Sequence, residues 1–478
     1  MNAPPSRAVH HGTGAMRRDG LARKGKAVVR FLPGTDSMRV AVIGFGYVGT
    51  CLGVTLARRG MPVVAVDSDR AVIDQVRRGT RDIPEPGLAE ALADLAGTTL
   101  LTCTSDYAAV RDADVVLITV GTPVDEYGAL VTGQLEEACR RLAPHLRPGH
   151  LVILKSTVSP GTTRTFVAPL LDDSGLTHEV DYGLAFCPER LAEGEAMAQL
   201  AELPVVVGGC GPDSSAAAAG FWTRALGVPV RHVPTADTAE LVKLATNWWI
   251  DGNVAIANEL AQLCAGYDVD VLDILAAANE LPKGQRHVNI LLPSVGVGGS
   301  CLTKDPWMAW RAAKDSGLDM RTIETARRVN DEMPAYTGQL IRDELVKLGK
   351  DPASAKVAVL GVAFKNDTGD IRGTPVRGVV DSLRGAGTEV ALFDPLADPA
   401  KVATEFRLAP RASLADAVDG ADAVAILAGH RQFHDIDFAW LRTRARMPCL
   451  VFDGRVYYPA PVVRSLRELG FHYRGIGR

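Results

Sequence analysis

A single cysteine in a glycine-rich stretch is the residue of this sequence best suited to covalent chemistry. Cys301 lies within residues 296–310, GVGGSCLTKDPWMAW, and is followed by Lys304 and Asp305. A nearby cation is expected to lower the pKa of a thiol and favour the nucleophilic thiolate, while a carboxylate can act as a base or orient a water. The preceding glycines, including Gly298, let the backbone approach a ligand closely. The alternative is a small apolar cysteine in an ordinary turn.

A lysine and an asparagine form a second candidate group. Lys243 and Asn247 lie four residues apart in the apolar stretch LVKLATNWW, so they share one face of a helix. A buried ammonium and amide need polar partners, and together they would stabilise a developing alkoxide. The alternative is a solvated lysine beside an asparagine. Glu189 and Glu193, in FCPERLAEG, add carboxylates that would otherwise be surface groups.

A dinucleotide-binding turn is predicted at Gly44, Gly46 and Gly49, which form GxGxxG directly after an apolar strand. The first glycine permits a tight turn, the second admits a pyrophosphate, and the third lets the helix pack on the sheet. Asp67 ends the next strand and would bind a ribose diol, which favours NAD over NADP, although Arg70 weakens that preference. NAD together with a reactive thiol indicates oxidation of an aldehyde through a thiohemiacetal.

These residues need an α/β framework to position them. Apolar strands that alternate with helical stretches predict a doubly wound NAD-binding Rossmann domain over residues 38–232. The stretch 235–267 has a Thr/Asp start, strong helix formers and no proline, which predicts one long helix within a helical domain over 233–349. Strands resume in a second α/β domain over 350–478. The predicted fold class is therefore α/β, with two Rossmann-like doubly wound domains joined by a helical domain built on one long helix.

Individual strands are predicted from short apolar runs. The buried parallel strands expected in the first domain are 39–46, 62–69, 113–123, 150–157 and 203–209. The strands expected in the second α/β domain are 356–364, 389–395, 421–429 and 449–455. Residues 1–37 are basic and lack apolar periodicity, so a disordered extension is expected, with a transit peptide as the alternative.

The composition and net charge limit the kinds of partner that are expected. The 478 residues are 47% hydrophobic and 23% charged, which is typical of a globular protein with two or three domains. A net charge of -4 gives no reason to expect nucleic acid as a partner, and no uncharged apolar run is long enough to span a membrane.

Eight scattered cysteines without a CxxC pair indicate reduced thiols in a cytoplasmic protein. His430 and His434 lack an accompanying ligand cluster, so no metal is expected. The long apolar helix needs a covering surface, which predicts a homodimer through the central helical domain.

From Met38 to its end, the sequence resembles the nucleotide-sugar 6-dehydrogenases, typified by UDP-glucose 6-dehydrogenase. The matching stretches, in chain order, are GFGYVG (44–49), EPGL (85–88), VGTP (120–123), KSTVSPGTT (155–163), CPERLAEG (187–194), AELVKLATN (239–247), GVGGSCLTKD (296–305) and GVAFKNDTGDIRGTP (361–375). The resemblance implies a four-electron oxidation. The 6-hydroxymethyl group of a nucleotide sugar becomes a carboxylate, and two NAD are reduced.

The resemblance also implies residue roles. Cys301 captures the aldehyde as a thiohemiacetal, which is oxidised to a thioester and hydrolysed by water. Lys243 and Asn247 hold the alkoxide oxygen. The residues expected to manage water and protons are Asp305, Glu189 and Thr157. The residues expected around the cofactor are Gly44, Gly46, Tyr47, Val48, Gly49, Asp67, Thr122, Thr157, Glu193, Lys304 and Arg372. The residues expected around the substrate are Glu189, Arg190, Lys243, Asn247, Arg286, Gly298, Phe364, Lys365 and Arg455. Lys365 and Arg455 suit a diphosphate, which the C-terminal domain is expected to bind.

Residues near the cysteine bear on the sugar. Arg190 in CPER, with the stretches VNI and DPW, resembles enzymes that oxidise UDP-N-acetylmannosamine or UDP-N-acetylglucosamine. Ser300 and Lys304 resemble the glucose enzymes instead. Leu292 stands where those enzymes carry a lysine, and Arg286 is one place from the arginine that reaches the neighbouring subunit's site. UDP-N-acetylhexosamine is therefore ranked slightly ahead of UDP-glucose.

Other functions stay open at this point. GDP-mannose 6-dehydrogenase is a close alternative, since the residues do not specify the base. A two-electron hydroxyacid dehydrogenase also combines a Rossmann domain with a long helix, but it needs neither the cysteine loop nor the second α/β domain. A non-catalytic NAD-binding scaffold is disfavoured by the presence of Cys301, Lys243, Asn247 and Asp305 together.

Overall fold

A computed structural model describes residues 30–32 and 38–478. Most of the extension predicted at 1–37 lies outside the described residues. The side chains of Phe31 and Leu32, however, are buried in the core of the first domain. The prediction of a disordered extension is therefore wrong for these two positions, because Phe31 packs against the strand Gly183–Phe186 and Leu32 packs against the helix Pro212–Leu226.

The first domain contains an eight-stranded sheet in the order β3-β2-β1-β4-β5-β6-β7-β8. Its strands are β1 (Val40–Ile43), β2 (Val63–Val66), β3 (Leu101–Thr104), β4 (Val115–Ile118), β5 (Leu151–Leu154), β6 (Gly183–Phe186), β7 (Val205–Gly209) and β8 (Val230–His232). Its helices are α1 (Tyr47–Arg58), α2 (Arg70–Arg77), α3 (Leu88–Leu95), α4 (Gly133–Leu142), α5 (Ala168–Asp172), α6 (Ala196–Glu202) and α7 (Pro212–Leu226). Runs such as VVLI in β4 and LVIL in β5 are buried throughout, as expected for strands covered by helices on both faces.

The direction of one strand differs from the prediction. The parallel strand predicted at 203–209 is β7, which runs antiparallel to β6 and parallel to β8. An entirely apolar run reads the same in either direction, so the sequence pattern does not distinguish the two. Strands β3, β6 and β8 were not predicted. β8 is short and mostly exposed, and therefore lacks the apolar signal.

The central region is helical. It contains α8 (Ala236–Tyr267), α9 (Val271–Asn279), a hairpin of β9 (Pro282–Lys283) and β10 (Arg286–His287), α10 (Asp305–Asp315) and α11 (Arg321–Lys347). The predicted long helix is confirmed as α8. The Thr235 side chain caps it by accepting a hydrogen bond from the Thr238 amide at 3.1 Å. Among the described residues, no helix combines the length and apolar character needed to cross a membrane.

The last region is a second α/β unit with a five-stranded parallel sheet in the order β12-β11-β13-β14-β15. Its strands are β11 (Lys356–Leu360), β12 (Glu389–Phe393), β13 (Ala423–Ile426), β14 (Leu450–Asp453) and β15 (His472–Gly475). Its helices are α12 (Val376–Gly385), α13 (Pro399–Phe406), α14 (Leu414–Val418), α15 (Phe438–Arg444) and α16 (Ala460–Glu468). The four predicted strands correspond to β11 to β14, and β15 was not predicted.

The three regions meet at loops that leave the carboxyl ends of strands. Arg372, beyond β11, donates to the Glu193 carboxylate, beyond β6, at 2.7 Å. Lys365 donates to the Glu193 carbonyl oxygen at 2.8 Å. The Gly299 amide of the cysteine loop donates to the Arg372 carbonyl oxygen at 3.2 Å. Both α/β units therefore contact each other, and the second also contacts the cysteine loop, at the edge where α/β proteins bind ligands.

Candidate active site

The glycine turn after β1 has the geometry of a pyrophosphate site. Gly44 has φ +85°, and a Cβ atom there would lie 3.0 Å from the Val120 backbone. A Cβ at Gly49 would lie 2.1 Å from the Gly44 carbonyl oxygen, so only glycine fits between helix and strand. A Cβ at Gly46 would meet nothing within 4 Å. The tight positions are thus the first and third, while the second faces open space at the N-terminus of α1, where a phosphate would bind.

Asp67 is fixed beside this turn. One carboxylate oxygen accepts the Phe45 amide hydrogen at 2.6 Å, and the other accepts that of Asp69 at 2.9 Å. The carboxylate is half-buried and lies at the end of β2, the position from which an acid binds a ribose diol. Arg70 begins α2 and is exposed. Thr122 is buried in the loop after β4, and Val48 is half-buried in the first turn of α1.

A buried glutamate whose role the sequence did not reveal connects this turn to the rest of the site. The Tyr47 hydroxyl donates to the Glu85 carboxylate at 2.5 Å. Glu85 also accepts the amide hydrogens of Gly194 at 2.8 Å and Met197 at 3.1 Å. Burial and this bond to Glu85 raise the pKa of Tyr47. EPGL, which contains Glu85, was recognised as a motif, but its contacts join segments more than 100 residues apart and follow no local pattern.

Two side chains from different elements hold the carboxylate next to the cysteine loop. Asp305 is the first residue of α10 and is fully buried. It accepts a hydrogen bond from the Asn247 amide of α8 at 2.6 Å, and the Lys304 ammonium pairs with its other oxygen at 2.5 Å. Asp305 is therefore an oriented carboxylate, one turn of chain after Cys301, with the polar partners that burial requires.

Lys243 and Glu189 form the second buried pair of the centre. The lysine ammonium lies 3.5 Å from the Glu189 carboxylate, and the two side chains are only 6% and 11% exposed. Burial lowers the pKa of Lys243, but its interactions with the Glu189 and Asp305 carboxylates and with the Cys301 sulfur together outweigh burial, so the pKa is raised. The ammonium is thus a stable cation beside the sulfur and can stabilise an oxyanion. The alternative of a solvated lysine is wrong.

Cys301 differs from the sequence expectation in its protonation. It is accessible to solvent, which suits a nucleophile. The surrounding protein nevertheless desolvates the sulfur and raises its pKa, and Asp305 raises it further. Lys243 and Lys304 act in the opposite direction but do not prevail. The prediction of a lowered thiol pKa is therefore wrong for this state of the protein, because the two nearby carboxylates and desolvation outweigh the two ammonium groups.

The glycines before the cysteine make room for the C-terminal unit. A Cβ at Gly298 would lie 2.6 Å from the Gly373 carbonyl oxygen, and one at Gly299 would lie 2.7 Å from the Phe364 ring. Close approach was expected, but here the neighbour is protein. Arg455 donates to the carbonyl oxygens of Leu427 at 2.7 Å and Phe364 at 2.8 Å, and burial lowers its pKa to about 10. The Phe364 ring therefore packs against the glycines before the cysteine, and Arg455 holds the Phe364 backbone in place.

Arg372 lies between two carboxylates. It pairs with Glu193 at 2.7 Å and with Asp370 at 2.5 Å, and these bonds raise its pKa. Burial and the neighbouring Asp370 raise the pKa of Glu193 to about 7. The predicted cofactor residues Glu193 and Arg372 are thus in contact, and Lys365, predicted to bind substrate, joins them through the Glu193 carbonyl oxygen.

Some predicted site residues are not drawn into this group. Arg286 lies on the exposed β9–β10 hairpin and has no side-chain hydrogen bond or ion pair within the described part of the chain. The Arg190 guanidinium donates to the Pro204 carbonyl oxygen, at the start of β7. Thr157 is half-buried just beyond β5, on the side of the sheet edge where the site lies. Residues 30–32 and 38–478 contain no cluster of three or more potential metal ligands.

A buried ion pair under the cysteine loop was missed by the sequence analysis. The Arg327 guanidinium of α11 pairs with Asp251 of α8 at 2.6 Å, and both side chains are almost completely buried. Arg327 also approaches the Leu302 carbonyl oxygen at 3.5 Å. The ion pair therefore contacts the backbone of Leu302, which directly follows Cys301. An arginine and an aspartate 76 positions apart give no sequence signal of this contact.

Comparison with known proteins matches all three regions. The NAD binding, central and UDP binding domains of the UDP-glucose/GDP-mannose dehydrogenase family match residues 38–225, 237–332 and 358–459. The UDP-N-acetyl-D-mannosamine dehydrogenase of Pyrococcus horikoshii is 33% identical over 441 residues, which cover 92% of this chain and 99% of that protein.

Solved structures agree with the sequence comparison. A structure of UDP-D-ManNAc dehydrogenase from Pyrococcus horikoshii has a TM-score of 0.82 at 32% identity and covers 92% of this chain and 99% of that one. A UDP-glucose dehydrogenase from Pyrobaculum islandicum has a TM-score of 0.80 at 28% identity and covers 93% and 99%. The glycine turn with Asp67 fits the dinucleotide that the matching domain binds. The chain therefore belongs to the UDP-glucose/GDP-mannose dehydrogenase family and is an NAD-dependent nucleotide-sugar dehydrogenase.

Proposed function

We propose that this dehydrogenase oxidises the 6-hydroxymethyl group of a UDP-N-acetylhexosamine to a carboxylate. The observation that carries the proposal is the meeting of Cys301 with the buried groups Lys243, Asn247 and Asp305 from two helices and a loop. The similarity to UDP-N-acetyl-D-mannosamine dehydrogenase over nearly the whole chain favours an N-acetylhexosamine. UDP-glucose ranks second, because Ser300 and Lys304 resemble that branch.

The chain's own groups stabilise the oxygen of the reacting carbon. NAD, when bound, supplies the hydride acceptor for both oxidations. The Lys243 ammonium and Asn247 amide bind the oxygen as it develops negative charge, which favours the transition state over the bound alcohol. Asp305 and Glu189 accept protons released from the hydroxyl and the thiol. Because both carboxylates are buried and hydrogen-bonded in place, they need no reorganisation to do so.

Cys301 keeps the aldehyde in the site between the oxidations. Its sulfur bonds to the aldehyde carbon, the carbonyl electron pair moves to oxygen, and the thiol proton passes to a nearby carboxylate. Loss of hydride from this thiohemiacetal gives a thioester. Water, positioned by Thr157 and activated by Glu189 or Asp305, then attacks the carbonyl and the sulfur leaves. In sum, one hydroxymethyl, one water and two NAD give one carboxylate, two NADH and three protons.

We assign a separate task to each domain. Residues 38–232 bind NAD and supply Glu189 and Thr157, and residues 233–349 supply Cys301, the other reacting groups and the subunit contact. Residues 350–478 bind the nucleoside diphosphate, with Lys365 and Arg455 close to it. In the protein as described, both cations contact carbonyl oxygens, so diphosphate binding would compete with or extend these bonds.

A homodimer is the proposed assembly. Trp249, Ile256 and Leu263 of α8 are each more than half exposed and are spaced seven residues apart, so they form one apolar stripe. A cavity of about 760 Å³ lies along α8 and α11 beside this stripe. A second copy would cover the stripe, and the exposed Arg286 is free to reach the partner's site. The eight unpaired cysteines suit a reducing, cytoplasmic location.

A substrate panel tests the function. UDP-N-acetylmannosamine, UDP-N-acetylglucosamine, UDP-glucose and GDP-mannose are each incubated with NAD, and NADH release and product mass are measured. We expect two NADH per sugar and a gain of 14 mass units with a UDP-N-acetylhexosamine. Preference for GDP-mannose or UDP-glucose would overturn the proposal that the substrate is a UDP-N-acetylhexosamine. One NADH without a new carboxylate would indicate a two-electron dehydrogenase, and no NADH with any sugar would indicate a scaffold.

A further inference from the structure

A buried lysine behind the reaction centre takes no part in the chemistry described so far. Lys155 follows β5, and its side chain is 6% exposed. Its ammonium donates to the Cys187 carbonyl oxygen at 3.4 Å and lies 4.8 Å from the centre of the Trp222 ring. One long hydrogen bond and a ring face compensate poorly for a buried charge. The position of the lysine therefore needs a further explanation.

Lys155 and Glu189 line the same small cavity. Its volume is about 30 Å³, and Arg190 and Gln199 complete its polar lining. This volume and lining suit a water molecule, and a water at this position would connect the ammonium to the Glu189 carboxylate. The same carboxylate contacts Lys243 on its other side, at 3.5 Å. Glu189 therefore has two cations near it, one toward the sulfur and one toward the protein interior.

The two lysines differ in what they are free to do. In the proposed reaction, Lys243 engages the substrate oxygen, and Glu189 then loses part of its charge compensation while it stays buried. Lys155 is held by the Cys187 carbonyl and Trp222 and does not depend on the substrate. Burial lowers the pKa of Lys155, while the charge of Glu189 acts to raise it. The groups facing Lys155 are Cys187, Glu189, Lys243 and Arg190. Lys243 contacts Glu189, and Lys155, Cys51 and Cys301 interact with it electrostatically.

We propose that Lys155 is a positioning residue for Glu189. It fixes the turn from Cys187 to Glu189 through the carbonyl oxygen, and through a bridging water it compensates the negative charge of the Glu189 carboxylate when Lys243 turns to the substrate. The inference rests on the proposed function of Glu189 in handling water and protons. Lys155 therefore does not touch the reacting atoms and influences the reaction only through the position and charge of Glu189.

Neutral and charged replacements of Lys155 separate charge from packing. K155Q keeps a donor for the Cys187 carbonyl but removes the charge, whereas K155R keeps the charge. We expect K155Q to lower kcat about tenfold at pH 7 and to move the acidic limb of the kcat profile about one pH unit upward, because a buried positive charge beside the proton-accepting groups is lost. K155R should restore the position of the limb. K350Q, at a largely buried lysine of the second α/β unit that pairs with Asp422, is the control and should leave the profile in place.

A second background tests whether Lys155 acts through Glu189. In E189Q, adding K155Q should lower kcat no further, since residues that act as one unit are not additive. An unchanged acidic limb in K155Q, or a full additional loss in E189Q, would overturn the proposal. K155M replaces K155Q in both comparisons if circular dichroism shows that K155Q does not fold. If the wild type releases fewer than two NADH per sugar, the proposed function itself fails. If the wild type releases two NADH per sugar but the pH profile of kcat is unchanged in K155Q, only the proposed role of Lys155 is overturned.

Discussion

The Asn247 amide donates a 2.6 Å hydrogen bond to the Asp305 carboxylate, and both side chains are buried. The bond joins α8 to the first residue of α10, and so fixes the cysteine loop against the long helix. It also orients the asparagine, because an amide that donates to a carboxylate has its oxygen directed elsewhere. The same contact therefore fixes a carboxylate and an amide close to the cysteine loop, and groups held in place in this way are suited to stabilise an oxyanion.

Replacing Cys301 with serine should stop the reaction before the acid forms. C301S removes the sulfur that holds the aldehyde, and a serine hydroxyl is far less nucleophilic near neutral pH. We expect NADH release to fall from two per sugar to one or fewer, with no carboxylate product by mass spectrometry. The Kd for NAD, measured by calorimetry, should stay within about twofold of wild type because the glycine turn is untouched. Normal turnover to acid by C301S would contradict the mechanism.

Replacing Lys243 with alanine should lower kcat far more than it weakens cofactor binding. The ammonium acts on charge that develops in the transition state, so its loss should reduce kcat about 100-fold to 1,000-fold. The Kd for NAD should change by less than about threefold. K350A is a matched control, since Lys350 is also largely buried and paired with a carboxylate, Asp422, but in the second α/β unit. Equal losses of kcat in the two variants would point to general destabilisation.

The reactivity of Cys301 should depend steeply on pH. Because desolvation and Asp305 raise its pKa above the ordinary value of a thiol, the thiolate fraction should rise about tenfold per pH unit up to pH 9. Iodoacetamide labelling, followed by peptide mass spectrometry, should show this slope without a plateau. Labelling should be selective. Of the eight cysteines, which all lie within residues 38–478, Cys301 is exposed, Cys210 is half-buried and the other six are buried. K243A should label more slowly at each pH. A plateau below pH 8 would show a lowered pKa instead.

Two glycines of the dinucleotide turn should respond differently to alanine. A Cβ at Gly46 meets nothing within 4 Å, so G46A should keep its melting temperature within about 2 °C but bind NAD at least about tenfold more weakly, because the methyl group occupies the phosphate position. A Cβ at Gly49 would lie 2.1 Å from a carbonyl oxygen, so G49A should melt at least about 5 °C lower. Thermal unfolding and calorimetry measure both effects. Equal stability of the two variants would contradict this division.

Charging the apolar stripe of α8 should separate the subunits. W249D places a carboxylate at a position that is 51% exposed in the single chain and buried in the proposed dimer, where an unpaired charge is costly. Light scattering at micromolar concentration should give twice the chain mass for wild type and the chain mass for W249D. L318D, at a side chain that is 63% exposed on the α10–α11 connection, is the control for a surface charge. A monomeric wild type would remove the dimer.

The sequence by itself determined the local elements and contained the motifs from which the site residues are proposed. GxGxxG after a strand, followed by Asp67, predicted the cofactor turn, and the geometry of Gly44, Gly46 and Gly49 agrees with it. The stretch 235–267 predicted α8 almost to the residue. These features depend on neighbours within a few turns of chain, where apolar periodicity, capping and glycine conformations decide the structure.

Only the tertiary structure decided how these residues act on one another. The pKa of Cys301 depends on Asp305, Lys243 and desolvation together, and their balance is opposite to what the adjacent lysine suggested. The direction of β7 depends on its neighbour in the sheet, and Glu85 gains its role from amides more than 100 positions away. Charge and hydrogen bonding in a buried site are sums over groups brought together by packing, and sequence spacing does not contain those distances.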